Sequence, residues 1–214
     1  MHGYGSRNTA LDYTKWEGKA VEHGFVLVRP MGTEKLVGQR NDSPSWNAGW
    51  CCGASIESKA DVDDVGFIRK VVSATVGSDG FTVDLGRVYM VGHSNGCAMA
   101  QRMAVDASDI VAAVACHSHY LVTEVNAEAI KSAVPTGYAA VPVMTVHGTT
   151  DSVVKYLPKI SGGALGAGLE KNLELWKEIN GCSVGPGVSA GPGFTVETFT
   201  GCDGGGCDFG CDTT

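Results

Sequence analysis

Between the apolar run Arg87-Val88-Tyr89-Met90-Val91 and a stretch of small residues at 97–105 stands the pentapeptide Gly92-His93-Ser94-Asn95-Gly96. The run reads as a strand, and the small apolar stretch after it as a helix suited to close packing on a sheet. A chain that passes from strand to helix within so few residues must turn sharply. Such a turn lifts its central side chain above the sheet, and glycine is needed on either side because a side chain there would meet the neighbouring helix or strand. G-x-S-x-G in this setting makes Ser94 a candidate nucleophile. The alternative is a chance pentapeptide in a chain with 30 glycines.

The same alternation recurs along the chain. Phe25–Val28, Ile110–Ala115 and Val141–Val146 are further strand candidates. Their apolar residues are continuous rather than alternating, as in parallel strands covered on both faces. Helical stretches lie between them. One is capped by Asp61 and runs through Val65, Ile68 and Val72; another carries Leu165, Leu169, Leu173 and Trp176 and stops at Gly181. Strand and helix in series predict an α/β fold with a doubly wound, mostly parallel sheet in one domain over residues 1–214. The Gly-rich stretches 183–193 and 201–211 read as loops.

With a net charge of −7 and no Lys/Arg run, the chain lacks the electrostatic footprint of a nucleic-acid or anionic-membrane binder. Eight cysteines point to an oxidising compartment, hence to a secreted protein. Zinc at Cys202, Cys207 and Cys211 is the rival reading, but no CxxC pair or histidine accompanies them. A secreted chain should begin with a signal peptide. This one begins Met1-His2-Gly3-Tyr4-Gly5, which suggests either a removed leader or a fragment.

Three further groups bear on chemistry. Asp151, in His147-Gly148-Thr149-Thr150-Asp151, follows the last strand candidate and comes after Ser94, the order in which an acid follows a serine in G-x-S-x-G enzymes. A turn-capping aspartate is the alternative. His2-Gly3-Tyr4-Gly5 reads as a loop whose Tyr4 amide, with that of Asn95, would form an oxyanion hole. The general base is missing: all six histidines (His2, His23, His93, His117, His119, His147) precede Asp151, whereas the base should follow the acid. His93 is expected to point away from the serine and His147 to be structural. His117 and His119 are left as substitutes, as a metal-binding pair, or as loop histidines without a special role.

Taken together, these segments resemble the extracellular polyhydroxybutyrate depolymerase and feruloyl esterase group of α/β hydrolases. The matching residues are His2-Gly3-Tyr4-Gly5; Ser45-Trp46-Asn47-Ala48-Gly49 with Cys51-Cys52-Gly53; Val62–Ile68; Arg87-Val88-Tyr89 through Gly96; His147–Asp151; and Asn180-Gly181-Cys182. The resemblance implies an incomplete α/β-hydrolase fold, without the strands that precede the His-Gly loop and without the C-terminal histidine-bearing segment. It implies hydrolysis of carboxylic esters, polyester or feruloyl, through an acyl-enzyme on Ser94 oriented by Asp151, with no metal or other cofactor. It also implies a Cys182–Cys202 disulfide and a pairing of Cys51 or Cys52. Position 97, commonly glycine in that group, is cysteine here. The expected partner is an ester or polyester substrate, the expected state a monomer, and the expected turnover slow for want of the base. A hydrolase-fold binding protein without catalysis is the alternative, and a structural α/β domain with an accidental elbow the third. Trp46 and Trp50 are placed near a cleft or in the core.

Overall fold

The structure, a computed structural model, describes residues 1–9, 15–34, 43–49, 62–78, 80, 82–121, 127–156 and 168–203. Asp61, Trp50, Cys51, Cys52, Leu165, Cys207 and Cys211 lie outside these residues, so the expectations placed on them stay there. The elements are α1 (Trp16–His23), α2 (Asp64–Val76), a 3-10 turn (Leu85–Arg87), β1 (Tyr89–His93), α3 (Asn95–Asp106), β2 (Ala113–His117), α4 (Ala127–Ala133), β3 (Val143–Val146), α5 (Leu169–Ile179), β4 (Val184–Gly191) and β5 (Phe194–Thr200).

β1, β2 and β3 form a parallel sheet in that order, with Gly92 opposite Cys116, His93 opposite His117 and His117 opposite Val146. The α/β architecture is the expected one. The strands alternate in burial. Met90, Val114 and Cys116 are buried in one core with Met99, Met103 and Ala104 of α3. On the other face Tyr89 is 56% exposed, Met144 51% and Val146 50%, so among the described residues only one face is closed, not both.

Strand starts fall two to three residues later than the apolar runs predict. Leu85–Arg87 winds into a turn whose Asp84 side chain accepts from the Gly86 amide, and the amides of Ile110 and Val111 bond back to Ala107 O. Phe25–Val28 is not a strand. Gly24 ends α1 in the left-handed region (φ 66°), and Phe25 then packs edge-on against Trp16, with ring centroids 6.2 Å apart. Its apolar character serves its own helix rather than a sheet. The N-cap of α2 is Asp63, whose carboxylate accepts from Gly66 N.

α5 ends as expected at Gly181, which has φ 61°. The amide of Cys182 reaches Lys177 O and that of Gly181 reaches Glu178 O, the paired bonds of a Schellman stop. The buried face of α5 is Leu169, Asn172, Leu175 and Trp176, so a polar residue holds a core position that a hydropathy stripe passes over. Gln101 explains it. The Gln101 side chain is fully buried, and its carbonyl accepts from Asn172 Nδ2 (2.9 Å) and Trp176 Nε1 (2.8 Å), tying α3 to α5.

Residues 184–191 are not a loop. They pair antiparallel with β5 across Pro192-Gly193, with Gly193 at φ 82°. Proline followed by a glycine of positive φ is the central pair of a type II turn. Cys182 is bonded to Cys202, as the resemblance implies. Cys97 is bonded to Cys116, which ties α3 to β2 through the position where glycine was expected.

Candidate active site

Ser94 lies between β1 and α3 at φ 52° and ψ −125°, backbone angles costly for a residue with a side chain. Several contacts hold it there. Its amide donates to His117 O at 2.8 Å, and its carbonyl accepts from Cys97 N and Ala98 N. A Cβ on Gly92 would overlap the Gly96 carbonyl, and one on Gly96 would overlap the carbonyls of Met1 and His2. Both flanking glycines are therefore required by contact, as the pattern predicts. Ser94 is half-buried, and among the described residues no side chain hydrogen-bonds its Oγ.

The His2-Gly3-Tyr4-Gly5 segment lies beside this turn. The Met1 amino group donates to Val91 O, and His93 N donates to Met1 O, so Met1 bonds along the edge of β1 away from β2. A Cβ on Gly3 would stand 3.2 Å from Ser94 Cβ. His2 is buried: Nε2 accepts from Gly32 N, and its backbone carbonyl takes Trp46 Nε1–H at 3.0 Å. Tyr4 is 41% exposed and follows Gly3 at the rim.

Asn95 has its backbone in the first turn of α3, while its side chain does separate work. Fully buried, it accepts from Trp46 N at 2.7 Å and donates to Trp46 O at 3.0 Å. The next residue, Asn47, is held by the Asp64 carboxylate at its amide (2.6 Å) and by Arg102 at its carbonyl. Burial raises the Asp64 pKa against the lowering effect of the Asn47 amide and Arg102. Trp46 is thus core, with no exposed surface.

Asp151 follows β3. Its carboxylate accepts from Val153 N (2.8 Å) and Val154 N (2.9 Å). Burial pushes its carboxyl up, but these amides, with His147 and Lys155, outweigh it and hold the pKa below its usual value. The His147 side chain is fully buried and donates from Nε2 to Val154 O at 2.8 Å, with Asp151 Oδ2 at 3.8 Å. It braces the loop that carries the acid. Tyr120 stacks on its ring and Tyr156 meets it edge-on, two contacts that sequence reading missed.

The remaining histidines separate. His119 is buried, and burial drives its pKa down to about 4. His23 is exposed on α1 beside Glu22. His93 and His117, the last residues of β1 and β2, stack with ring centroids 5.2 Å apart. Burial lowers the His93 pKa, His117 lowers it further, and Asp151 acts the other way. The pairing of His93 with His117 was not foreseen, although both residues close apolar strands in the sequence.

Ser94, the Gly3 loop and Asp151 thus lie at the carboxyl ends of parallel strands, where α/β sheets carry their ligands. Comparison with curated proteins gives no match. The model of the phospholipase/carboxylesterase family matches residues 1–161, a span holding Ser94, Asp151 and the whole parallel sheet, and the chain belongs to this family of α/β hydrolases.

Proposed function

We propose that the chain acts on carboxylic esters through Ser94. Membership of the phospholipase/carboxylesterase family supports ester hydrolysis as the reaction class. The observation that carries the serine reading is the strained Ser94 backbone between two glycines that cannot bear a side chain. In the proposed reaction Ser94 Oγ attacks the ester carbonyl carbon. The oxyanion takes hydrogen bonds from the amides of Tyr4 and Asn95, the alcohol leaves with a proton, and water then releases the acid from the acyl-serine. Asp151 is the proposed orienting acid. The motif resemblance favours a polyester of short hydroxyacids or a feruloyl ester as substrate. The two disulfides support a secreted, oxidised setting, and we take the working unit to be a monomer.

A second reading has its own observation. Among the described residues no side chain hydrogen-bonds Ser94 Oγ, which favours a hydrolase-fold binding protein or a slow enzyme. One experiment separates them: the folded chain is treated with a fluorescent fluorophosphonate, and p-nitrophenyl butyrate turnover is followed alongside. The esterase reading expects label on Ser94 that vanishes in Ser94→Ala, with slow turnover from the oxyanion hole and binding alone. A folded chain that takes no label moves the assignment to the binding protein. Polyhydroxybutyrate film against methyl ferulate then decides the substrate.

A further inference from the structure

Two backbone bonds grip Ser94 from opposite sides. Its amide donates to His117 O at 2.8 Å, and its carbonyl accepts from Cys97 N at 2.8 Å. The first partner ends β2 and the second lies in the first turn of α3. His117 directly follows Cys116, and Cys116 is bonded to Cys97. The disulfide therefore joins the residue that donates to Ser94 O to the neighbour of the residue that accepts from Ser94 N. A ring closes through the serine: from its carbonyl to Cys97, across the sulfurs to Cys116, on to His117 O and back to the Ser94 amide.

The ring is backed from the core. Cys97 has no exposed surface and Cys116 is 2% exposed. Gln101 Nε2 donates to Cys116 Sγ at 2.9 Å and lies 3.5 Å from Cys97 Sγ, while Gln101 Oε1 is itself held by Asn172 and Trp176 of α5. This matters because the Ser94 backbone, at φ 52° and ψ −125°, lies in a costly region that persists only where its surroundings over-determine it. Gly92 and Gly96 let the chain pass that way, but a glycine permits a conformation without enforcing it. The bridge and its hydrogen bonds supply the enforcement.

We propose that the Cys97–Cys116 bridge is a positioning device for Ser94. It sets the reactivity of the serine by fixing the end of β2 against the first turn of α3, apart from what it adds to global stability. The proposal rests on the reading of Ser94 as nucleophile. Both cysteines act through the backbone and touch no reacting atom.

The second disulfide supplies the control. Cys182 and Cys202 are 20 residues apart, against 19 for Cys97 and Cys116, so opening either bridge releases nearly the same loop-closure entropy. The rate of Ser94 labelling by excess fluorophosphonate is measured in the full chain, in Cys97→Ala/Cys116→Ala and in Cys182→Ala/Cys202→Ala, each at the same interval below its own thermal midpoint. The first variant should label at least about tenfold more slowly, since misplacing a reacting atom by about 1 Å can cost about 100-fold. The second should label at the unsubstituted rate. Cys97→Ser/Cys116→Ser, closer in shape, repeats the comparison should the alanine pair not fold. Equal rates in all chains, or equal slowing in both bridge variants, would reduce Cys97–Cys116 to a general staple. Hydrogen exchange of the Ser94 amide reads position without any chemistry, and its protection should be lost only when Cys97–Cys116 is removed. A folded chain that takes no label sinks the nucleophile reading, whereas Ser94 protection that survives loss of the bridge overturns the positioning role.

Discussion

The amide of Ser94 donates to the carbonyl oxygen of His117 at 2.8 Å, and one residue before His117, Cys116 is bonded covalently to Cys97 on the first turn of α3. The turn that carries the candidate nucleophile is therefore held to the neighbouring strand twice, once through its backbone and once through a disulfide three residues on.

Removing that covalent link should be costly. The cysteines are 19 residues apart, and closing a loop of that size is worth about 3 kcal/mol in the chain-entropy account. We predict that Cys97→Ala/Cys116→Ala lowers the free energy of unfolding by about that amount. Urea titration followed by circular dichroism measures it, and a loss below about 1 kcal/mol would mean that the bridge adds little to the folded state.

Gly92→Ala should damage the elbow by steric overlap. The new methyl group would stand inside contact distance of Gly96 O and Cys97 N, backbone atoms of α3 that cannot turn aside. Overpacking typically costs about 1–3 kcal/mol. The expected result is a lower urea midpoint together with loss of Ser94 labelling by fluorophosphonate. Wild-type labelling in Gly92→Ala would contradict the contact.

Asn95→Ala should destabilise the chain without altering any backbone donor of the site directly. Its side chain satisfies both the amide and the carbonyl of Trp46 in the interior. The Trp46 carbonyl keeps the Ala48 amide as a donor, so the variant leaves one buried backbone group, the Trp46 amide, unpaired, at a cost of about 1–3 kcal/mol. Thermal unfolding of the variant checks this. Asn95→Asp, which sets a buried carboxylate oxygen against Trp46 O, should destabilise at least as much as Asn95→Ala.

Acid should weaken the fold before the carboxylates titrate in bulk. His119 has its pKa lowered from 6.5 to about 4 by burial, so the unfolded chain binds its proton first as the pH falls. The stability linked to neutral His119 is complete above pH 6.5 and is lost on the way down to about 4. The total is up to roughly 3 kcal/mol. His2 and His93 shift the same way, and Asp64, with a raised pKa, acts in the opposite sense. Urea midpoints measured between pH 7 and pH 4 should decline. A flat profile that is the same in His119→Gln would remove His119 as the cause.

What could be read from the sequence was local. The Ser94 turn is written in five consecutive residues, although Gly96 is required by the distant carbonyls of Met1 and His2, and the Gly181 stop rests on bonds spanning three to five residues. The order of strand and helix followed from apolar periodicity, and so did the placing of Ser94 and Asp151 after strands. Boundaries slipped where a turn used the first apolar residues, as at Ile110 and Val111, because an amide can bond back to its own chain as well as across a sheet.

The tertiary structure decided everything that joins distant segments. No pattern pairs Cys97 with Cys116, sets His93 against His117, or sends the Asn95 side chain to Trp46, because each contact exists only once β1 and β2 are in register and α3 is laid on them. The Gly-rich stretch at 184–191 becomes a strand for the same reason. Its own residues are poor strand formers, and only β5 beside it, with a proline and a glycine to turn the chain, supplies the hydrogen bonds that make it one.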